Sequence, residues 1–114
     1  MTTPPSLPPA MDPEHFNKLT PAEAESLALL IEECGEVIQA VGKIQRHGYE
    51  SYNPDRPEKG SNRAQLEAEL GDLRAAVVMM LEAGDVEDDL MEAHARAKKR
   101  SVKQYLHHQE GTTK

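Results

Sequence analysis

Two short acidic motifs in this chain share one spelling. Glu33-Cys34-Gly35-Glu36 and Glu69-Leu70-Gly71-Asp72 both read Glu-x-Gly-acid. Residues three apart on a helix share a face, so on helices each copy projects two carboxylates the same way. Four carboxylates aimed at one place repel. At about 4 Å and an effective dielectric near 20, each like pair costs on the order of 4 kcal/mol. A divalent cation is the usual remedy, and Mg²⁺ in particular brings phosphorylated substrates with it. The pairs point to metal-dependent phosphate chemistry, provided two helices carry them side by side.

The flanking sequence supplies those helices. Thr20-Pro21-Ala22-Glu23 is a capping box with proline at the first helical position. A 3.6-residue apolar pattern follows through Leu27, Leu30, Ile31, Cys34, Val37, Ile38, Val41 and Ile44, and Gly48 is the expected stop. Residues 49–61 carry Tyr, Asn, Pro, Asp, Gly and Ser without periodicity and read as a loop. Ser61 or Asn62 can cap a second helix that runs to Ala83 and stops at Gly84; Asp85 then caps a third that reaches about His108. No segment alternates like a strand, so the expected fold is all-α, a bundle with three main helices per subunit. Turning each residue by about 100° puts Glu33 at the edge of the first apolar stripe, with Glu36 about 60° further round. Glu69 and Asp72 flank the second stripe (Leu66, Leu70, Leu73, Val77, Met80, Leu81), and Glu67 lies on its other side as a solvated charge.

Residues 75–81 are apolar without a break, and a helix apolar all round must be covered all round. About 95 ordered residues have too little interior to do that, so another copy of the chain is the expected cover, completing the bundle by oligomerisation. Val78 and Met79 point away from the stripe and are the expected contacts. A lone Glu-x-x-acid pair usually marks a solvated helix face. Repetition beside the buried seam, each copy with an interior glycine costing about 1 kcal/mol against alanine, favours a site where something approaches the backbone. A di-iron carboxylate site would need Glu-x-x-His on two helices, and none of the five histidines stands three residues after a glutamate.

Lys43 projects along the line of Glu36 and can meet a substrate phosphate or pair with an acid. Arg46, Arg56, Lys59 and Arg63 border the loop. Asn62 is either a cap or a contact to a base, and Tyr49 and Tyr52 can stack on a base or pack on their own loop. Arg96, Lys98, Lys99, Arg100 and Lys103 crowd the end of the third helix, where they complement its macrodipole, with room for one or two lysines to touch phosphate. Net charge is −7, which argues against a general nucleic-acid binder. Residues 1–19 hold five of the eight prolines and read as a disordered arm before a domain at 20–109 and a flexible tail at 110–114. The arm lacks the pattern of a secretory signal, and no apolar stretch approaches the roughly 20 residues that cross a membrane. One cysteine, Cys34, excludes a disulfide framework and fits a reducing cytoplasm.

Glu32-Glu33-Cys34-Gly35-Glu36 followed some way on by Glu69-Leu70-Gly71-Asp72 resembles the signature of the MazG-like all-α nucleoside triphosphate pyrophosphohydrolases. The stretches "EVIQAVGKIQRHGYESYNP" and "SNRAQLEAELGDL" are similar to short single-domain members often carried by bacteriophages. The resemblance covers about residues 20–109. It implies a cytoplasmic enzyme that assembles as a dimer or a dimer of dimers. Mg²⁺, with Mn²⁺ as a substitute, would be held by Glu33, Glu36, Glu69 and Asp72. Glu36 or Glu32 would take the proton of the attacking water. A lysine of the last helix would meet the triphosphate, Lys98 first by its spacing before "SVKQY" and Lys103 second; here the chain departs from the family's Lys-Leu-x-Lys-Val by reading "KKRSV". The implied reaction is hydrolysis between the α and β phosphates to a nucleoside monophosphate and pyrophosphate, with a lean toward purine deoxynucleotides, guanine above all. Two alternatives stand beside it: phosphoribosyl-ATP pyrophosphohydrolase, and a helical interaction module without catalysis.

Overall fold

The computed structural model describes residues 17–109. The expected disordered arm, apart from residues 17–19, and the tail at 110–114 lie outside the described residues. Three α-helices and no strand make up the described chain: α1 Pro21–His47, α2 Asn62–Glu82 and α3 Asp88–Ser101. It divides into two compact units between Met80 and Leu81. No helix among the described residues is long and apolar enough to cross a membrane.

The first unit is an antiparallel hairpin of α1 and α2. Its start is the capping box read from sequence. Thr20 Oγ1 accepts from the Glu23 amide at 3.1 Å, and Glu23 Oε1 accepts from the Thr20 amide at 2.8 Å. Gly48 ends α1 at φ 90°, a left-handed value where a side chain would be strained, and its amide donates to the Ile44 carbonyl at 2.7 Å. The loop is more ordered than its composition implies. It contains a 3₁₀ turn at Pro57–Lys59 and an antiparallel bridge between Tyr52 and Ser61. Of the two caps considered for α2, Ser61 is the one in place, its Oγ accepting from the Ala64 amide at 3.1 Å.

Little of this hairpin is enclosed. The buried apolar residues are Ala40, Ala76 and Met80, and no large side chain among the described residues is fully buried. Leu27, Leu30, Val37 and Ile44 on α1 are half-buried, as are Leu66, Leu73 and Val77 on α2. The rest of the α1 stripe is bare: Ile31 is 73% and Ile38 71% exposed, with Cys34 and Val41 also exposed between and beyond them. Val78 and Met79 are exposed on α2, as the rotation of that helix requires.

In the second unit α3 is shorter than expected. Its N-cap is Glu87 rather than Asp85, because Gly84, at φ 80° and bonded back to Leu81, starts a turn that delays the helix. The α-helix ends at Ser101 rather than near His108. Ser101 Oγ bonds back to the Lys98 carbonyl at 3.4 Å, and the chain tightens into a 3₁₀ turn at Val102–Tyr105. Asp88 and Asp89 open α3, and Lys98, Lys99 and Arg100 close it, the distribution its macrodipole favours.

Candidate metal centre

Helix periodicity delivers the acids to one place. Glu33 from α1 and Glu69 and Asp72 from α2 each offer a carboxylate oxygen, and the three atoms lie within 4.8 Å of one another. Glu33 and Glu69 are half-buried while Asp72 is exposed. Partial burial raises the Glu33 pKa above the ordinary glutamate value, and the charges of Asp72, Glu32, Glu69 and Glu36 push it further up. Among the described residues no lysine or arginine pairs with these carboxylates; the ion pairs present lie elsewhere. Hard oxygen donors on two helices, close enough to share one cation and lacking a protein counter-charge, fit a divalent metal.

Glu36 and Glu32 stand apart from that trio. Glu36 is half-buried, one helical turn nearer the loop, and Glu32 is exposed. Both lie close enough to add to the field at Glu33 without sharing its ligand position. Glu67 is exposed and belongs to no cluster. The interior glycines leave open space: a Cβ at Gly35 or Gly71 would meet nothing within 4 Å. Among the described residues, no group makes the close approach to the backbone expected from those glycines.

At the loop end of the hairpin, Asn62 is buried at 7% exposure. Its Nδ2 donates to the Gly48 carbonyl at 3.0 Å, and its amide donates to the Ser51 carbonyl at 2.8 Å. Asn62 therefore ties the first residue of α2 to the last turn of α1, a structural job that neither capping nor base contact anticipated. Tyr49 carries the Arg63 guanidinium on its ring at 4.2 Å, and Arg63 also pairs with Glu50 at 2.7 Å, so one face of Tyr49 is taken by its own loop. Lys43 lines a cavity of about 460 Å³ at this corner, along with Arg46, His47, Tyr52 and Lys59. His47, four residues after Lys43 on α1, was not singled out in sequence, while Tyr52, read there as stacking on a base or packing on its own loop, reaches this cavity through the fold of the loop. The thickening of basic residues on both flanks of the loop was the available clue.

Lys98 and Lys103 belong to the second unit. Lys98 lines an open groove on α3 with Leu90, Met91 and His94, and Lys103 lies in the 3₁₀ turn. A family model described as the MazG nucleotide pyrophosphohydrolase domain matches residues 22–102. The match takes in both acidic motifs, the loop and Lys98, and stops one residue short of Lys103. No curated protein and no solved structure matches the chain.

Proposed function

The chain belongs to the MazG nucleotide pyrophosphohydrolase family, and from that premise we propose that it hydrolyses nucleoside triphosphates between the α and β phosphates in a Mg²⁺-dependent reaction. The observation that carries this reading is the convergence of Glu33, Glu69 and Asp72 within 4.8 Å across two helices. Those three residues would hold the ion, which when bound neutralises phosphate charge and lowers the pKa of water. Glu36 is half-buried and outside the trio, and to its carboxylate, ahead of that of the exposed Glu32, we assign the proton of the attacking water. Glu32, exposed, adds negative charge behind Glu33. Oxygen from water joins the α-phosphorus, the bond to the bridging oxygen breaks, and pyrophosphate leaves with the electron pair. Lys98 is the lysine proposed to meet the triphosphate, followed by Lys103.

The test is pyrophosphate release from the common ribo- and deoxynucleoside triphosphates, purine deoxynucleotides first. Release that depends on Mg²⁺ or Mn²⁺ and stops on chelation is the expected result. Orthophosphate as the only product, or turnover indifferent to chelation, would remove the proposal.

We further propose that the active form contains more than one copy of the chain. Ile31, Ile38, Val78 and Met79 expose apolar surface that a stable monomer of this size would enclose. Val78→Asp puts an unpaired carboxylate into that contact, at a cost of several kcal/mol. Light scattering should show an oligomer for the parent and dissociation for the variant. A stable 12.6 kDa monomer at micromolar concentration would end this part of the proposal.

A further inference from the structure

The helix of the second unit buries nothing. Every residue of α3 from Asp88 to Ser101 is exposed, Leu90 at 58% and Met91 at 37%. A helix of 14 residues is marginal in water by itself, so packing has to hold it. One of its faces is suited to that. Glu87, Leu90, Met91, His94, Ala97 and Ser101 line a single open groove and recur at the spacing of one helix face. The short side chains of Ala97 and Ser101 let a second backbone come near.

The charges of α3 are arranged about the middle of that face. Glu92 and Arg96, Asp89 and Lys99, and Asp88 and Arg100 stand at equal distances on either side of His94, the acid always before it and the base always after. Glu92 and Arg96 meet within the helix at 3.4 Å, while the other four make no ion pair among the described residues. The macrodipole accounts for the order of these charges along the helix, but it asks for no symmetry about one residue. A second α3 laid antiparallel across the groove, with the two His94 side chains at the centre, answers both the bare face and the symmetry. Each acidic half then lies beside a basic half, within a Debye length, and the two macrodipoles oppose. A parallel pair would set acid beside acid.

We propose that α3 pairs with the α3 of a second copy of this chain, antiparallel and centred on His94. In that register Leu90 packs beside Ala97 of the other copy. Met91 packs beside the aliphatic stem of Lys98, whose ammonium stays outside the seam and free for the phosphate contact assigned to it. A foreign helix would have to carry the same reversal of charge at the same spacing, and a second copy of the chain carries it by construction. This contact is separate from the one at Val78 and Met79 on α2, and it does not depend on the reaction.

Disulfide mapping of the full chain under mild oxidation tests the pairing. Helices packed about 8–10 Å apart bring facing Cα atoms at the centre within disulfide reach. His94→Cys should give a dimer bridged at position 94, at least about tenfold faster than Lys99→Cys on the far side of α3. Leu90→Cys should not bridge to itself, because antiparallel copies hold that position about 12 Å apart along the axis. It should bridge to Ala97→Cys when the two chains are mixed. All four sites are exposed, so circular dichroism should match the parent. Three results overturn the proposal. Equal rates at positions 94 and 99 would mean random collision. A Leu90→Cys chain that bridges to itself as fast as the mixture reacts would mean a parallel pair. A bridge from position 94 to the native Cys34 would make the exposed stripe of α1 the occupant of the groove.

Discussion

The two ends of the α1–α2 hairpin are built on opposite terms. Midway along the helices, Glu33, Glu69 and Asp72 are held together against their own repulsion, with no ion pair to them among the described residues. At the loop end, Asn62, Arg63 and Ser61 satisfy their neighbours with hydrogen bonds, an ion pair and a ring contact. The first end carries a repulsion that a bound divalent ion would relieve. The second is a tie that holds the helices in the register the first end needs. The proposed site is left unsatisfied, and the polar bonds at the loop sit one helix segment away.

Removing a carboxylate should give the largest effect. Glu69→Gln or Asp72→Asn deletes a hard anionic ligand at constant volume, and turnover should fall by more than about 100-fold while helicity is kept. Glu36→Gln should also stop turnover, through the proton it no longer takes. Glu67→Gln, on the far flank of α2, should stay within a few-fold of the parent. Steady-state kinetics at limiting Mg²⁺ decide it: a loss at Glu67 equal to that at Glu69 would mean the two flanks of α2 are not different in kind.

Breaking the tie should act on stability before activity. Asn62→Ala leaves the Gly48 carbonyl without its donor at a buried position, at a cost of about 1–3 kcal/mol. Thermal unfolding should show a Tm several degrees lower, and Mg²⁺ should recover part of it by binding only the folded form. An unchanged Tm would show that the loop holds its place without Asn62.

The same contrast explains what could be read from the chain. The capping box at Thr20, the stop at Gly48 and the shared face of Glu69 and Asp72 follow from local periodicity and cap chemistry, and each stands where expected. The resemblance of the two acidic motifs to a family agrees with the match over residues 22–102. The start and end of α3 were misjudged because Gly84 and Ser101 redirect the backbone through bonds that have no periodic signature. Asn62 was weighed as a cap or a base contact, whereas its partner is Gly48, fourteen residues earlier, reached only because the loop closes. Local rules name the groups that share a helix face. They do not say which loop carbonyl a side chain will meet.

Acidification should distinguish the two ends by sign. Glu33 has a raised pKa in the folded state, so the folded form holds that proton more tightly than the unfolded chain does. The resulting stability is fully present below the ordinary glutamate value and is lost as pH rises through the raised one. Glu58 runs the other way, its pKa lowered first by its bond to Arg56, and its contribution is lost as pH falls. In metal-free protein, the Tm of the parent minus that of Glu33→Gln should therefore rise on the acid side. Added Mg²⁺ should flatten that difference, since the ion takes the place of the proton. Parallel pH curves for the two proteins would show that the cluster is not strained.

The smallest effect belongs to Arg63. Its guanidinium meets Glu50 at 2.7 Å and lies 4.2 Å from the centre of the Tyr49 ring, yet both partners of the ion pair are at least half exposed. Water and salt screen such a pair, and the ring contact at an exposed site adds about 0.5–1 kcal/mol. Arg63→Met keeps the aliphatic stem over Tyr49 and removes the charge. The Tm should drop by only a few degrees, and by less in high salt, where the parent has already lost most of the pair. Mg²⁺ affinity should stay at the parent value, because Arg63 pairs with Glu50 and with none of the four acids of the two motifs. A large loss of metal affinity in this variant would mean that the tie and the carboxylates are one cooperative unit and not two regions under different rules.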